Sequence, residues 1–491
     1  MITIRRYTET VKEKWNKTPL EAKVSISYAI CSILQQSISF ITLPLFTRLL
    51  STEQYGQVTV YGSWSSLLSI FLTLQLPHGS FNRAMVKFGK QRDEYIGSVQ
   101  GICFVLSVIF LLIYLPFNSL WNRLFELPTP IMIIMVFQIL TSAGLAFWSG
   151  KKRFEFKYKE VIAVTLISSI LSPIVQYCMV INVEEKGYAR IIGGAIVSIA
   201  CGGVVYIISA IRGKYFYKKE FWNYALSFNV PLLVYYLSQM IFNTSDRIMI
   251  SHMAGTDKAA IYGVAYNLAI LLNFVLTAIN NSYVPWFYEK LKNGKQDENK
   301  PVANAIAILM ATLLLGVIWF TPEIVRILAG KAYAEAIWIV PPVAMSTLLL
   351  FYSQLCINFE FFFEEKRFLV NASVGAAVVN VLLNALFIPV FGYLVAGYTT
   401  LFSYMLFVGS NYYAMKKIME EKNIESHGLD KIKLLIIFVG FMCVGFMGMM
   451  LYTYFIIRVV LVIIIIFIFI INYKKVLAIV RNIKNESGFS K

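Results

Sequence analysis

Uninterrupted apolar stretches of about 20 residues recur along almost the whole chain, and this is the length that an α-helix needs to cross a bilayer. The run at 459–471 contains no polar residue at all. The 491 residues are 58% hydrophobic and 14% charged, whereas a soluble domain would be about half apolar and about a quarter charged. The sequence therefore predicts an all-α integral membrane protein.

The apolar stretches predict 14 membrane-spanning helices, at 24–47, 57–77, 96–116, 130–150, 161–181, 190–211, 225–245, 260–283, 302–321, 335–358, 368–388, 394–415, 434–454 and 457–472. Of the 44 Lys and Arg residues, 35 lie in the two tails and the even-numbered connections, and 9 in the odd-numbered connections. The positive-inside rule therefore predicts that both termini are cytoplasmic. The net charge of +17 is explained by this distribution of basic residues, which also favours attraction to anionic lipid. The charge therefore does not predict a nucleic-acid partner.

The segment Gln239–Tyr266 has a fainter copy 204 residues earlier in the chain. In each copy three polar residues occur at i, i+4 and i+7, a spacing that places them on one face of a helix. They are Gln35, Ser39 and Thr42 in the first copy, and Gln239, Asn243 and Asp246 in the second. A polar stripe on an otherwise apolar helix predicts a hydrated cavity, and we expect the two stripes to face each other across one cavity.

Further correspondences at similar shifts, such as Gly187-Tyr188 with Gly392-Tyr393, indicate two repeats of six spans followed by two extra spans. Because six is even, both repeats enter the membrane from the same side, as in transporters built from parallel halves. The predicted organisation is a cytoplasmic amphipathic segment at 1–23, an N-terminal lobe at 24–211, a cytoplasmic linker at 212–220, a C-terminal lobe at 221–415, a cytoplasmic loop at 416–433, two helices at 434–472 and a basic cytoplasmic tail at 473–491.

Asp246-Arg247 is an adjacent pair of opposite charges at or near the end of a predicted span. Charged groups at membrane depth usually face a cavity or a partner, although an Arg at a span end can also extend to the interface. Arg48 is the nearest basic residue in the first repeat, with the same two interpretations. Arg83, Arg190 and Arg326 are further cationic candidates. The spans also hold many Asn and Gln residues, whose amides suit either sugar hydroxyls or interhelical hydrogen bonds.

The chain carries no Walker A sequence, no GxSxG and no HExxH. The predicted extracytoplasmic connections are short, so they leave little room for an external catalytic site. We therefore expect neither an enzyme nor a bound cofactor or metal.

Leu43–Gly56 reads LPLFTRLLSTEQYG, and Ser245–Tyr266 reads SDRIMISHMAGTDKAAIYGVAY. These segments resemble the polysaccharide-transporter (Wzx-type flippase) branch of the multidrug/oligosaccharidyl-lipid/polysaccharide (MOP) exporter superfamily. That branch carries a TRLL-x-x-x-x-YG element after the first helix and a DR-x-x-I…G…IY-x-x-AY element around helices seven and eight. The second element is matched by Asp246, Arg247, Ile250, Gly255, Ile261, Tyr262, Ala265 and Tyr266.

The resemblance implies a MATE-like MOP exporter fold and a flippase that moves an undecaprenyl-pyrophosphate-linked oligosaccharide across a bacterial cytoplasmic membrane by alternating access. The product would serve capsule, O-antigen or exopolysaccharide assembly. The resemblance also implies a monomeric transport unit, with a glycan polymerase and a chain-length regulator as partners. Candidate substrate-binding residues are Gln35, Ser39, Thr42, Arg48, Gln239, Asn243, Asp246 and Arg247.

Two other functions stay open at this point. A drug/cation antiporter of the same superfamily should carry acidic residues deep in one lobe, whereas Asp246 and Glu360 are the only acids at span edges. A membrane glycan polymerase would need a sizeable outer loop, and the predicted outer connections are short.

Overall fold

The structure is a computed structural model that describes residues 20–77, 80–363, 366–424 and 426–463. These residues contain no β-strand. Their α-helices are α1 Leu20–Leu49, α2 Thr52–Thr73, α3 Phe81–Lys87, α4 Arg92–Tyr114, α5 Asn118–Phe125, α6 Thr129–Phe154, α7 Tyr158–Asn182, α8 Lys186–Gly213, α9 Lys219–Asn229, α10 Leu233–Ala254, α11 Thr256–Ala269, α12 Asn273–Lys292, α13 Asn299–Trp319, α14 Thr321–Leu328, α15 Val340–Phe362, α16 Lys366–Phe391, α17 Val395–Glu421 and α18 Lys431–Met450. Short 3₁₀ segments, such as Lys331–Trp338, connect some of them.

Among the described residues, 11 helical segments are long and apolar enough to cross a membrane. They match 11 of the predicted spans. The predicted spans 57–77 and 394–415 correspond to α2 and α17, which are long helices but too polar to be among the 11. The last predicted span, 457–472, runs beyond the described residues, as do most of the predicted segment 1–23 and all of the tail 473–491. The all-helical membrane fold is thus confirmed, whereas the count of 14 stays a prediction.

The start of α2 shows how local sequence sets a helix boundary. The Ser51 side chain accepts a hydrogen bond from the Gln54 backbone N–H at 3.1 Å, and the Gln54 side chain accepts one from the Ser51 N–H at 3.2 Å. This reciprocal capping box satisfies backbone donors that have no partner inside the helix. In the second copy of the repeat the corresponding position is Gly255, which precedes α11 with φ of 106°. Glycine adopts this left-handed backbone at little cost.

Contacts within the described residues divide the chain into two compact units, with boundaries at Leu50/Ser51, Ser63/Trp64 and Tyr236/Leu237. The first unit contains α1, the second half of α2, and α3 to α9. In it α8 packs on α6 and α7, α4 packs on α6 and α8, and α1 packs on α7. Its core includes an aromatic cluster in which Phe221 of α9 lies against Phe88 and Tyr95.

The second unit contains the start of α2 and the chain from Leu237 onward. In it α17 packs on α15 and α16, and α13 packs on α15 and α18. Three pairings of the first unit, α4 with α6, α6 with α8 and α7 with α8, therefore recur as α13 with α15, α15 with α17 and α16 with α17. This recurrence agrees with the predicted order of two repeats, and the predicted limits of the lobes and of the 212–220 linker stay predictions.

Arg458 attaches the end of the described chain to the second unit. Its guanidinium nitrogens donate to the two carboxylate oxygens of Glu323 on α14, at 2.8 and 2.7 Å, and one of them also donates to the Trp319 carbonyl. Arg458 is 1% exposed. This two-pronged ion pair fixes the helix at 455–463 against α13 and α14.

Candidate functional site

The polar stripe of the first repeat lies on α1. Gln35 is half-buried, and its Nε2 donates a hydrogen bond to Oγ of Ser169 on α7 at 3.2 Å. Thr42 donates to the backbone carbonyl of Ser39 at 3.0 Å, and the Ser39 side chain is exposed. Arg48 lies in the last turn of α1 with an exposed side chain. Gln35 thus joins α1 to α7, whereas Thr42 bonds within its own helix.

The polar stripe of the second repeat lies on α10. Nε2 of Gln239 donates to Oγ of Ser373 on α16 at 2.8 Å. Nδ2 of Asn243 donates to the Gln239 carbonyl at 2.7 Å, and its Oδ1 accepts a hydrogen bond from the Tyr266 hydroxyl at 3.4 Å. Gln239 thus joins α10 to α16 as Gln35 joins α1 to α7.

The two Gln–Ser hydrogen bonds are equivalent under the predicted repeat. In each unit the serine follows the glutamine by 134 residues, and both residues of the second pair lie 204 positions after those of the first. The same side-chain contact therefore joins corresponding helices in both units. That the two stripes face one cavity stays a prediction.

Asp246 is the centre of a buried polar network in the second unit. It is 1% exposed and lies in the apolar segment Lys219–Ala254. Its Oδ2 accepts hydrogen bonds from the hydroxyls of Tyr262 at 2.6 Å and Thr400 at 2.8 Å, and its Oδ1 accepts one from Nδ2 of Asn384 at 2.6 Å. Neutral donors from α11, α16 and α17 therefore surround the carboxylate.

The network continues through two asparagines one turn apart on α16. Oδ1 of Asn384 accepts a hydrogen bond from the Thr399 hydroxyl at 2.5 Å. Asn380 donates to Oγ1 of Thr400 and accepts from the Ser245 hydroxyl, both at 3.3 Å. All five side chains are buried. Mutual hydrogen bonding offsets the cost of placing these groups inside apolar helices.

Arg247 follows Asp246 in the chain but lies in a different environment. Successive residues of a helix project about 100° apart, and the Arg247 guanidinium lies 4.3 Å from the centroid of the Tyr266 ring. Its Nε is buried and makes no hydrogen bond within the part of the chain that the structure describes. The guanidinium of Arg247 is therefore positioned by its contact with the Tyr266 ring, and its Nε–H is left as an unused hydrogen-bond donor among the described residues.

Arg190 lies in the corresponding three-helix interface of the first unit. Its Nε donates to Oε1 of Gln176 on α7 at 3.3 Å, and its guanidinium lies 4.1 Å from the centroid of the Phe46 ring on α1. Gln176 in turn donates to the Ser172 hydroxyl at 2.8 Å. The interface of α1, α7 and α8 thus contains an arginine, whereas that of α10, α16 and α17 contains an aspartate.

The other arginine candidates are on the surface. Arg83 of α3 is exposed, with its guanidinium 5.3 Å from the Phe228 ring centroid, and Arg326 is exposed near the end of α14. Thr399 and Thr400, which complete the Asp246 network, were not among the predicted site residues. Two adjacent hydroxyl residues inside a long helix were the available signal.

Gly56 of the first motif and Gly263, which lies within the second, pack helices together within the second unit. A Cβ atom at Gly56 would lie 2.0 Å from the Thr256 carbonyl oxygen, and one at Gly263 would lie 2.7 Å from Cγ2 of Thr59. Small residues allow such close helix crossings in membranes. Gly56 and Gly263 are therefore packing residues that bring the start of α2 against α11.

Comparisons with known proteins agree with this architecture. Residues 22–291 match the family model described as "Polysaccharide biosynthesis protein". The chain is 22% identical over 368 residues to "Lsg locus putative protein 1" of Haemophilus influenzae, covering 73% of this chain and 89% of that protein. The solved structure of the lipid II flippase MurJ, in an inward closed conformation, has a TM-score of 0.69 at 16% identity and covers 92% of this chain and 99% of its own. A multidrug resistance MATE family transporter of the MOP superfamily, in an inward-facing conformation, has a TM-score of 0.60 at 13% identity and covers 80% and 96%.

Proposed function

The chain belongs to the polysaccharide biosynthesis protein family and has the fold of MOP superfamily transporters, and from this premise we propose that it is a flippase for a lipid-linked glycan. The resemblance noted in the sequence is thereby confirmed at the level of family and fold. The proposed substrate is an undecaprenyl-pyrophosphate-linked oligosaccharide, carried across the membrane by alternating access. The product would enter capsule, O-antigen or exopolysaccharide assembly.

The observation that carries the proposal is the pair of matched three-helix interfaces, each joined by the same Gln–Ser hydrogen bond and each containing an ionisable group. Charged groups in membrane-spanning helices are costly and usually serve transport. Repeated halves that meet a substrate near the midplane are a common plan of secondary transporters. A polysaccharide biosynthesis protein with this plan needs a substrate that is held in the membrane, and a lipid-linked glycan meets that requirement.

Arg247 and Arg48 are the proposed pyrophosphate ligands. A guanidinium binds phosphate oxygens through two parallel hydrogen bonds and stays protonated throughout the transport cycle. Arg247 supports this role because its guanidinium lies against the Tyr266 ring, whereas the Asp246 oxygens accept hydrogen bonds from Tyr262, Asn384 and Thr400. Arg48 supports it through its exposed position at the end of α1.

Gln35, Ser39, Thr42, Gln239 and Asn243 are proposed to face the glycan, because hydroxyls and amides both donate to and accept from sugar hydroxyls. Asp246 is proposed to carry a coupling proton. Its two oxygens accept three hydrogen bonds from neighbouring side chains. A proton on either oxygen would be a new hydrogen-bond donor that faces groups which themselves donate to the carboxylate. Protonation would therefore rearrange contacts among α10, α11, α16 and α17.

The proposed location is the bacterial cytoplasmic membrane with both termini in the cytoplasm, which the excess of basic residues in the even-numbered connections supports. A glycan polymerase and a chain-length regulator are the proposed partners, and one chain is the proposed transport unit.

The test is glycan export by cells that carry Arg247 variants at matched protein levels. If Arg247 binds pyrophosphate, Arg247→Ala abolishes export and Arg247→Lys, which keeps the charge but loses the planar fork, is intermediate. Arg123→Ala on α5, an exposed Arg with no proposed role, is the matched control. Full export by a well-expressed Arg247→Ala/Arg48→Ala double variant would exclude both residues as ligands.

A drug/cation antiporter is a second candidate because Asp246 is buried within an apolar helix, as such a function requires. Loss of glycan export together with unchanged drug resistance in a deletion strain would decide for the flippase. The reverse pattern would decide for the antiporter.

A further inference from the structure

A partly open cavity of about 280 Å³ lies in the first unit between the second half of α2 and the middle of α6. Seven of its eleven lining residues carry a hydroxyl or a side-chain amide. Within apolar helices such a lining favours water or a polar ligand over lipid chains. None of the residues proposed above to bind the substrate lines this cavity.

Helical spacing directs the polar groups of two helices into the same space. Ser69 and Thr73 are one turn apart on α2, and Gln138 and Ser142 are one turn apart on α6, so each pair shares a helix face. Oγ of Ser142 is also 3.2 Å from Oγ of Ser198 on α8, which fixes the α6 face relative to α8.

Gln75 enters the cavity from a left-handed turn at the end of α2. Leu74 and Gln75 have φ values of 49° and 50°. Such values are uncommon for residues other than glycine, and they occur often where backbone strain serves function. The backbone N–H of Gln75 donates to the Thr73 hydroxyl at 3.3 Å, and Gln75 is among the residues that line the cavity.

The hydrogen-bonding capacity of the lining suits a ligand rich in hydroxyls. Ser69 and Thr73 each donate to a carbonyl of their own helix at 2.7 Å, so their oxygens are left as acceptors, and that of Thr73 already accepts the Gln75 N–H. The Gln75 amide both donates and accepts. No Asp, Glu, Lys or Arg is among the lining residues, so nothing in the lining would neutralise a charged ligand.

We propose that this cavity binds one neutral sugar ring of the lipid-linked glycan, with Gln75 and Ser142 as direct hydrogen-bonding partners. The volume is just below the range of about 300–1,000 Å³ that is common for small-molecule sites, which favours a single ring over an oligosaccharide. A hexuronic acid is disfavoured because its carboxylate would lose hydration without meeting a cation. The inference rests on the proposed flippase function and adds the class of sugar.

The test measures binding of three lipids to the purified full-length protein in nanodiscs: undecaprenyl pyrophosphate, the same lipid with one neutral hexose, and the same lipid with one hexuronic acid. We expect the hexose lipid to bind at least about tenfold more tightly than the other two. Gln75→Leu and Ser142→Ala should each reduce this preference by about fivefold, the effect of one net hydrogen bond. Binding of the sugar-free lipid should stay unchanged.

Ser168→Ala on α7 is the matched control, because Ser168 donates to the carbonyl three residues earlier, as Ser69 does, and does not line the cavity. If Gln75→Leu also weakens binding of the sugar-free lipid, the single-hydroxyl variant Ser142→Ala decides. Equal binding of all three lipids, or an unchanged preference in Ser142→Ala, would overturn the sugar site and leave the flippase proposal standing. Failure of all three to bind would instead count against the flippase proposal.

Discussion

The interface of α1, α7 and α8 in the first unit and that of α10, α16 and α17 in the second share the pairing of their last two helices, α7 with α8 and α16 with α17. In each interface a Gln–Ser hydrogen bond joins the first helix to the second. They differ in the charge they contain. The first holds Arg190 against Phe46 and Gln176, and the second holds Asp246 among three neutral donors. The Gln–Ser contact is thus shared by the two repeats, whereas their ionisable groups differ.

The difference indicates separate tasks for the two units. Arg190 in the first interface can add to the attraction that Arg48 and Arg247 are proposed to exert on an anionic substrate, whereas the Asp246 carboxyl group in the second interface can respond to a proton. If both interfaces served only to hold the helices together, the same residue types at matching positions would be enough in each. Four predictions measure how far the two units differ, beginning with the largest expected effect.

Asp246→Ala should destabilise the protein most. It leaves the Tyr262 and Thr400 hydroxyls and the Asn384 amide without their acceptor in a buried site, and we expect a loss of about 3 kcal/mol or more in the free energy of unfolding. Asp246→Asn keeps an acceptor oxygen and should cost less. The measurement is thermal or denaturant unfolding of the purified protein in detergent.

Thr42→Ala is the matched control in the first unit, because Thr42 occupies the position of Asp246 in the repeat and its hydroxyl donates to the Ser39 carbonyl of its own helix. Its effect should stay within about 0.5 kcal/mol, as for most substitutions that strand no buried group. Equal effects of the two alanine variants would show that the interfaces do not differ as described.

Arg190→Lys should destabilise the first unit by about 1 kcal/mol. Lysine keeps the positive charge but loses the planar group that contacts the Phe46 ring and the Nε donor to Gln176. Arg123→Lys, on the exposed face of α5, controls for the general effect of the exchange. If Arg190→Lys has the same free energy of unfolding as the unchanged protein, then the positive charge of Arg190 contributes to stability and its planar geometry does not.

The sequence predicted the parts of this comparison that depend on local pattern. Apolar runs located 11 helical segments that can cross a membrane, and the 204-residue shift paired Gln35 with Gln239, which make equivalent hydrogen bonds in the structure. The fold class followed because helix length and apolar content are read over about 20 neighbouring residues.

The partners of Asp246 were beyond local pattern. Asn384 and Thr400 lie 138 and 154 residues further along the chain, and one sequence gives no information on which distant side chains meet. For the same reason Arg190 could be named as a candidate, but its contact with Phe46 could not. Gly56 belongs to the first motif and Gly263 lies within the second, and only the structure shows that they serve helix packing.

Double-mutant cycles on the two Gln–Ser pairs should give small coupling energies of about 0.6 kcal/mol, the average for interhelical hydrogen bonds in membranes. The cycle of Gln239 with Ser373 should give the larger value, because its hydrogen bond is 2.8 Å long, compared with 3.2 Å for Gln35 with Ser169. The measurement is unfolding of the single and double alanine variants. A coupling near zero in one unit and a clear one in the other would mean that the shared contact no longer has the same role.

The smallest expected effect is a pH dependence of stability caused by Glu335, the hydrogen-bond partner of Tyr393. Tyr393 belongs to one of the two repeated Gly-Tyr pairs. In the second unit the Tyr393 hydroxyl donates to the carboxylate of Glu335, and Lys258 lies 3.3 Å from the same oxygen. Glu335 belongs to the 3₁₀ segment Lys331–Trp338, outside the membrane-spanning helices. The hydrogen bond from Tyr393, opposed by partial burial and helped by Lys258, lowers the pKa of Glu335 below its ordinary value of 4.5.

A carboxyl group whose pKa is lower in the folded state stabilises the fold fully above its unfolded pKa, and this stabilisation is lost as the pH falls through the folded pKa. We therefore expect the free energy of unfolding to drop on acidification from pH 7 to below about pH 4.5, with Glu335 contributing about 0.5 kcal/mol or less because its side chain is half-exposed.

Glu335→Gln keeps an acceptor for Tyr393 and cannot titrate, so it should show a flatter pH profile in the same unfolding assay. Asp430→Asn is the matched control, because Asp430 caps α18 in a separate connection and its replacement should leave the Glu335 contribution in place. An identical acid loss in the unchanged protein and in Glu335→Gln would place the pH dependence elsewhere in the chain.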